Sequence, residues 1–186
     1  MNKEEKKQLH EAFIKKIINA RPGDVAILKR ASGLTLAESR GAMGVFFKLL
    51  PPQLQNPWNE EIYFLITTLI GFNNYPFSRS FGKSMRRVYQ ETKSESIQKR
   101  MMSLLNSKFG LIDNRYPGGG ETAFRIRQCV RLASSHEVGV DWLELLNDLL
   151  YWTHEEGFIQ KKWSRDFFSE YEQENDNEFK EKIDKT

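Results

Sequence analysis

The sequence predicts an all-α protein, a compact bundle of about eight to nine helices in a single domain. Apolar residues recur at three- and four-residue spacing along the chain, whereas the strict alternation typical of a half-buried strand is hard to find. Prolines and glycines, which interrupt helices, separate these apolar stretches. A chain of 186 residues, 39% of them hydrophobic and 28% charged, is long enough to bury a core without a disulfide or a structural metal.

Two helices are expected before residue 31. The first has His10 on its polar side and ends at the Arg-Pro-Gly sequence of residues 21–23. Its apolar stripe consists of Leu9, Phe13 and Ile17. Asp24 has the residue type of a helix cap, so we expect it to begin a short second helix that runs through Lys29 and Arg30.

Two more apolar segments follow. The third predicted helix stops at Pro51-Pro52, because proline lacks the N–H that continues a helix. Asn56 as N-cap, with Pro57 at the first helical position, predicts the start of a fourth helix. This helix has the most apolar sequence of the chain, and we expect it to be the most deeply buried, with Trp58 on its apolar side.

Caps and turns also divide the second half of the chain. Thr92 and Glu95 have the spacing of a capping box, which predicts a helix over residues 93–107. Residues 108–120 include a Pro-Gly-Gly-Gly sequence and are expected to form a mobile connection. A helix over residues 121–136 comes next.

The last two predicted helices follow residue 140. Asp141 and Glu144 form a second capping box at the start of a leucine-rich helix. The final helix carries one apolar stripe, formed by Ile159, Trp163 and Phe167.

The net charge of +3 is unevenly distributed along the chain. Residues 79–131 contain twelve basic and four acidic side chains, a net charge of +8, whereas residues 169–186 contain three basic and seven acidic side chains, a net charge of −4. A concentrated positive segment is typical of proteins that bind a phosphate backbone, and eight of its twelve basic residues are arginine, which suits phosphate oxygens. We therefore expect a domain over residues 1–168 with a basic face, followed by an acidic tail that is frayed or disordered.

Residue types that perform catalysis or bind metals are sparse. The three histidines, His10, His136 and His154, do not occur at the four-residue spacing of a helical metal site. Cys129 lies in an apolar helix that also carries arginines, so we expect a buried structural thiol rather than a nucleophile. The sequence therefore favours a protein that is not an enzyme and has no cofactor and no metal. A single cysteine and the lack of an export or membrane-spanning segment favour a cytoplasmic location.

One alternative function is a stand-alone helix-turn-helix regulator that binds DNA. Residues 25–36 resemble a helix, a turn at Gly33 and the start of a second helix. The second helix would carry Gly41 and Gly44 and an apolar end, a composition better suited to close packing than to reading bases.

Four segments resemble the CasB family, the small subunit of the type I-E CRISPR Cascade complex. They are GKSMRRV at 82–88, FRIRQCVRL at 124–132, VDWLELLNDLLYW at 140–152 and KKWSRDFF at 161–168. The resemblance covers about residues 10–168 and excludes the acidic tail and the glycines near residue 118.

This resemblance implies a non-catalytic subunit of an RNA-guided surveillance complex for antiviral defence. Such a subunit stacks with a second copy of itself and touches the backbone and large subunits that hold the guide RNA (crRNA). Its basic face binds nucleic-acid backbone without sequence specificity and stabilises the target DNA strand in the R-loop. Strand exchange into an RNA–DNA hybrid is nearly balanced in free energy, so backbone contacts can favour it.

The resemblance also implies which basic residues contact nucleic acid. Nine positions match basic positions of the family, namely Lys29, Arg30, Lys83, Arg86, Arg87, Arg100, Arg125, Arg127 and Arg131. The weaker candidates are Arg79, Lys99, Lys161 and Lys162.

Overall fold

The computed structural model describes residues 2–75, 80–108 and 119–169, and these residues form nine α-helices and one short 3₁₀ helix. The α-helices are α1 Lys3–Ile18, α2 Pro22–Arg30, α3 Arg40–Leu49, α4 Glu60–Ile70, α5 Phe81–Thr92, α6 Glu95–Leu105, α7 Gly120–Ser135, α8 Trp142–Leu150 and α9 Phe158–Phe168. Within these ranges there is no β-strand, only an isolated bridge between Ser32 and Leu34. The predicted all-α class is therefore confirmed. Residues 109–118 of the connection predicted over 108–120 and residues 170–186 of the tail predicted over 169–186 lie outside the described residues.

Helix α4 is the most deeply buried of the described helices, as its sequence predicts. Every residue from Ile62 to Ile70 is buried, and the helix packs against α1, α2, α7 and α8. Helix α5 packs against α6 and α7 and along α9. Gly82 of α5 permits this close approach, because a Cβ there would lie 2.6 Å from the carbonyl oxygen of Trp163. The predicted apolar stripe of α9 is buried, as expected.

The predicted start of α4 is wrong. The helix begins at Glu60, and residues 57–59 form a turn in which the Trp58 amide donates to the side-chain oxygen of Asn56 at 3.0 Å. Asparagine readily forms such local turns, which compete with a helix cap. Trp58 consequently lies before the buried face of α4, and its side chain is 91% exposed rather than in the core.

The predicted position of His10 is also wrong. Its ring is 1% exposed and bonds at Nδ1 to Asn147 Oδ1 (2.8 Å) and at Nε2 to Tyr63 Oη (3.0 Å). Burial lowers the pKa of His10, although the Asn147 contact opposes this shift. His10 can therefore be buried in the core, because Tyr63 of α4 and Asn147 of α8 bond to its two ring nitrogens.

The predicted caps have mixed outcomes. Asp141 caps α8 as expected, because its side chain accepts from the Glu144 amide at 2.9 Å. Asp24 does not begin α2; it lies in the first turn and pairs with Arg21 at 2.9 Å. The cap of α6 is Ser94, since Thr92 still belongs to α5 and donates to a carbonyl one turn earlier.

The segment between α2 and α3 departs from a helix-turn-helix. Nine residues, 31–39, separate the two helices, whereas the motif uses a turn of three to four residues. A Cβ added at Gly41 or Gly44 of α3 would meet no atom within 4 Å. The expected close packing at these two glycines is therefore wrong, and α3 packs through Ala42, Phe46 and Leu49 instead.

Candidate nucleic-acid interface

Phe72, just after α4, brings together two predicted contact residues from different helices. The Nζ atom of Lys29, on α2, lies 4.7 Å from the centroid of the Phe72 ring. The guanidinium carbon of Arg131, on α7, lies 4.9 Å from the same centroid. The electron-rich face of an aromatic ring attracts cations, so this ring holds both charges near one point of the surface.

Hydrogen bonds fix the backbone that carries Phe72. Ser134 Oγ, at the end of α7, donates to the Phe72 carbonyl at 2.5 Å. The next residue, Asn73, donates through Nδ2 to the Val138 carbonyl at 2.7 Å, and its own carbonyl accepts from Trp142 Nε1 at 3.1 Å. The ring is therefore attached to α7 and α8 and not only to α4.

Gly71 allows Lys29 to lie across this segment. A Cβ at Gly71 would stand 2.9 Å from the Lys29 side-chain carbons and from Val25. Such distances are too short for carbon atoms, so any larger residue would push the lysine stem away from Phe72.

Other predicted residues lie on or beside the same face of α7. Arg100, on α6, donates to the side-chain oxygen of Gln128 at 3.3 Å, and Gln128 is one turn before Arg131. Arg127 is also one turn from Arg131, but only 6% of it is exposed. Burial, together with the positive charge of Arg131, lowers the Arg127 pKa to about 10, so the guanidinium stays charged near neutral pH. Arg30 is the exposed last residue of α2 and follows Lys29 along the chain. We define the α7 patch as Lys29, Arg30, Phe72, Arg100, Arg127 and Arg131.

A second basic group lies on α5, which we call the α5 group: Lys83, Arg86 and Arg87. Arg86 donates to the carbonyl of Ser169, just beyond α9. Arg87 has its Nε 3.6 Å from Glu91, and its side chain is 56% exposed. Arg79, one of the weaker candidates, lies outside the described residues.

Three other predicted residues form ion pairs within the fold. Arg125 Nη2 lies 2.6 Å from Glu121 Oε1, and both side chains are largely buried. Lys99 lies 3.8 Å from Glu95 in an exposed pair. Lys162 Nζ lies 2.5 Å from Glu144 and 3.0 Å from Asp148. Lys161, by contrast, is exposed.

Lys162 belongs to a network that joins α8 and α9. Asp148 is 5% exposed and also accepts from Trp163 Nε1 at 2.6 Å. Burial raises the pKa of Asp148, while the bonds from Trp163 and Lys162 oppose the rise. We call Glu144, Asp148, Lys162 and Trp163 the α8–α9 network.

The remaining candidates for chemistry lie in the interior or apart from one another. Cys129 is buried as predicted, and burial raises the pKa of its thiol to about 12 against the opposing charges of Arg100 and Arg125. Across residues 2–75, 80–108 and 119–169, no three His, Cys, Asp or Glu side chains are grouped as metal ligands would be. No helix in the described part of the chain is long and apolar enough to cross a membrane.

Phe72 is the member of the site that the sequence reasoning missed. The sequence alone indicates no role for it. The only signal in the sequence is an aromatic residue next to a glycine at the end of a buried helix. Its two cationic neighbours are far away along the chain, so only the fold reveals them.

Comparisons with known proteins place this chain in a family. The family model for CRISPR-associated protein Cse2 matches residues 24–168. A CRISPR-associated protein Cse2 of Thermus thermophilus is 30% identical over 110 residues, which span 58% of this chain and 56% of that protein. The matched part is therefore little more than half the length of that relative.

Solved structures share the fold. The crystal structure of M. ruber CasB matches with a TM-score of 0.67 and 23% identity, covering 96% of this chain and 98% of that one. A chain of a CRISPR RNA-guided surveillance complex matches with a TM-score of 0.65 and 19% identity, covering 87% and 92%. The match over residues 24–168 shows that the chain belongs to the CRISPR-associated Cse2 family, the CasB family that its motifs resemble.

Proposed function

We propose that this protein is the non-catalytic small subunit of a type I-E CRISPR RNA-guided surveillance (Cascade) complex, and that it binds nucleic-acid backbone without sequence specificity. The observation that carries the proposal is the pair of cations, Lys29 and Arg131, held at the Phe72 ring. Neither cation has a carboxylate partner among the residues that the structure describes. Their charge is therefore available to an external anion, and a phosphate group is the anion that this charge and arginine geometry suit best.

The nine predicted contact residues fall into two groups according to how exposed their side chains are. Phosphate contacts are assigned first to Arg30, Arg87, Arg100 and Arg131, which are exposed, and to the half-buried Lys29. Lys83, Arg86, Arg125 and Arg127 are half-buried or buried, and they contribute mainly to the positive potential around these contacts. Contacts to phosphate fix a strand in place but do not read its bases, which supports binding without sequence specificity.

Family membership supports the assembly part of the proposal. The surveillance-complex chain with a similar fold is itself part of an RNA-guided assembly. We infer that this protein joins the backbone and large subunits around the guide RNA, together with a second copy of itself. There its basic residues hold the target DNA strand of the R-loop, where backbone contacts favour a nearly balanced strand exchange.

The nucleic-acid contact is tested by Lys29→Gln combined with Arg131→Gln in the assembled complex. DNA affinity is measured at several salt concentrations. Loss of two phosphate contacts should reduce the log–log salt slope by about 1.4 to 1.8 and weaken binding of all sequences equally. The matched control is Lys15→Gln with Lys48→Gln, which removes the same charge from exposed positions on α1 and α3. If both double variants have the same slope and affinity, the α7 patch is not the contact.

Assembly is tested separately by co-purification of the full chain with the other subunits and a short guide RNA. Recovery of a stable complex with this chain is the expected result. If the folded chain stays apart from the other subunits, the proposed role as a subunit is wrong.

A further inference from the structure

The outward face of α9 alternates aromatic rings with cations. Phe158, Lys161, Arg165 and Phe168 follow one another at spacings of three, four and three residues, which places them on one side of a helix. Phe158 is 39% and Phe168 44% exposed, and both cations are exposed. The opposite side of the helix is its buried apolar stripe. We call these four residues the α9 stripe.

The first end of the stripe is a cluster of three rings. The Phe158 ring lies 4.9 Å from that of His154 and 6.2 Å from that of Tyr151, measured between centroids. Tyr151 is 50% exposed, and Lys6 Nζ lies 5.7 Å from its centroid. This end therefore presents a broad aromatic surface with a cation at its edge.

Within the part of the chain that the structure describes, the two cations of the stripe are unpaired. Lys161 and Arg165 make no ion pair or hydrogen bond through their side chains with any residue of the described ranges, whereas the adjacent Lys162 is held by two carboxylates. Glu155 and Glu156 precede α9, and Asp166 accepts a hydrogen bond from Ser80 at the α5 side. The charged side chains of the stripe itself, between its two aromatic ends, are both positive.

Aromatic rings combined with cations fit one kind of ligand well. Unpaired bases stack on exposed rings, and the phosphates between them pair with cations, whereas a duplex keeps the faces of its bases covered. Phe158 and Phe168 are ten residues apart, which on a helix is about 15 Å, a distance that spans several nucleotides.

We propose that the α9 stripe is a separate binding site for single-stranded nucleic acid, in which bases stack on Phe158 and Phe168 and phosphates meet Lys161 and Arg165. It adds base stacking to the backbone contacts of the α7 patch. It uses different residues, so either site can exist without the other.

The experiment measures binding of the full chain to a fluorescent oligothymidine strand and to a duplex of the same length. Phe158→Leu with Phe168→Leu removes the rings and keeps an apolar surface. Stacking on one ring contributes enough that we expect roughly a tenfold loss of single-strand affinity for each ring, with duplex affinity unchanged. Phe158→Tyr with Phe168→Tyr keeps both rings and should bind as the wild type does. Met102→Ala, on a residue of α6 that is 49% exposed, is the control for losing an exposed apolar side chain.

The cations are tested by Lys161→Gln with Arg165→Gln. For a single strand the salt slope should fall by about 0.7 for each lost phosphate contact. Circular dichroism and thermal unfolding show that each variant is folded before binding is compared.

Three results would overturn the proposal. They are unchanged single-strand affinity in the leucine variant, an equal loss of duplex affinity, and loss of co-purification with the protein subunits, which would identify the stripe as a protein interface. If the leucine variant binds as the wild type does while Lys29→Gln with Arg131→Gln weakens binding, the proposed α9 site is wrong and the proposed function stands. The reverse pattern supports the stripe and rejects the α7 patch.

Discussion

Two regions of the molecule place cationic side chains in opposite surroundings. Lys29 and Arg131 belong to the α7 patch, and Lys162 belongs to the α8–α9 network. The first two lie within 5 Å of one uncharged ring. Lys162 lies within 3.0 Å of two carboxylates. The difference shows that a covered carboxylate next to a cation, and not the number of basic residues alone, decides whether that cation is available to a ligand.

The two regions should differ in energetics as well. A cation beside a half-buried ring such as Phe72 gains only about 1 kcal/mol, so the contacts of Lys29 and Arg131 with this ring add little to the stability of the fold. Asp148 is buried, and removing a partner from a buried charged group costs several times more. We therefore expect variants of the network to change stability and variants at Lys29, Phe72 and Arg131 to change binding.

The largest effect is expected for Asp148→Ala. This change leaves the Trp163 N–H without its acceptor and Lys162 with only one carboxylate, so the free energy of unfolding should fall by about 3 kcal/mol. Urea unfolding measures the loss, and Asp148→Asn, which keeps the shape and one acceptor oxygen, should cost less. The DNA affinity of the folded variant should match the wild type. A loss below about 1 kcal/mol would mean that the network does not support the fold.

The next largest effect is expected for Phe72→Leu. Without the ring, Lys29 and Arg131 lose the surface that aligns them, and DNA affinity in the assembled complex should fall on the order of tenfold, given two cation–ring contacts. Phe72→Tyr keeps an aromatic face and should retain affinity. Equal affinity in the leucine and tyrosine variants would show that the ring does not position the cations.

Local patterns predict much of the fold from the sequence. The stripe of Ile159, Trp163 and Phe167 and the cap at Asp141 are both predicted correctly, because each depends on residues within a few positions of one another. Trp58 shows where this reasoning fails. Asn56 and Pro57 have the residue types of a helix start, but the local turn that they form places the helix three residues later.

The candidate site could be predicted only in part. Charge counting locates the basic segment but cannot separate Lys162 from Lys161, because their difference depends on Asp148 and Glu144 of another helix. Phe72 is not predicted for the same reason, since the two cations at its ring come from α2 and α7. Partners that are distant along the chain become neighbours only through tertiary packing, which periodicity does not encode.

The smallest effect is expected in the pH dependence of stability, which should distinguish Lys162 from its exposed neighbour Lys161. Burial disfavours the charged form of Lys162, but its bonds with Glu144 and Asp148 outweigh burial and raise its pKa above the ordinary 10.5. A lysine with a raised pKa in the folded state gives its full stabilisation below pH 10.5 and loses it as the pH rises through the folded-state value. The wild type should therefore lose more stability than Lys162→Gln over this alkaline range, when urea unfolding is followed at increasing pH.

The matched control is Lys161→Gln, which should keep the pH dependence of the wild type because Lys161 has no carboxylate partner in the described structure. Ionisation of Tyr63, whose pKa burial raises to about 12, occurs in all three proteins and cancels in the comparison. The difference should stay below about 1 kcal/mol, because the Lys162 side chain is 35% exposed and water screens its pairs. If the two glutamine variants have identical pH profiles, the carboxylates do not distinguish Lys162 from an exposed lysine, and the contrast between patch and network rests on geometry alone.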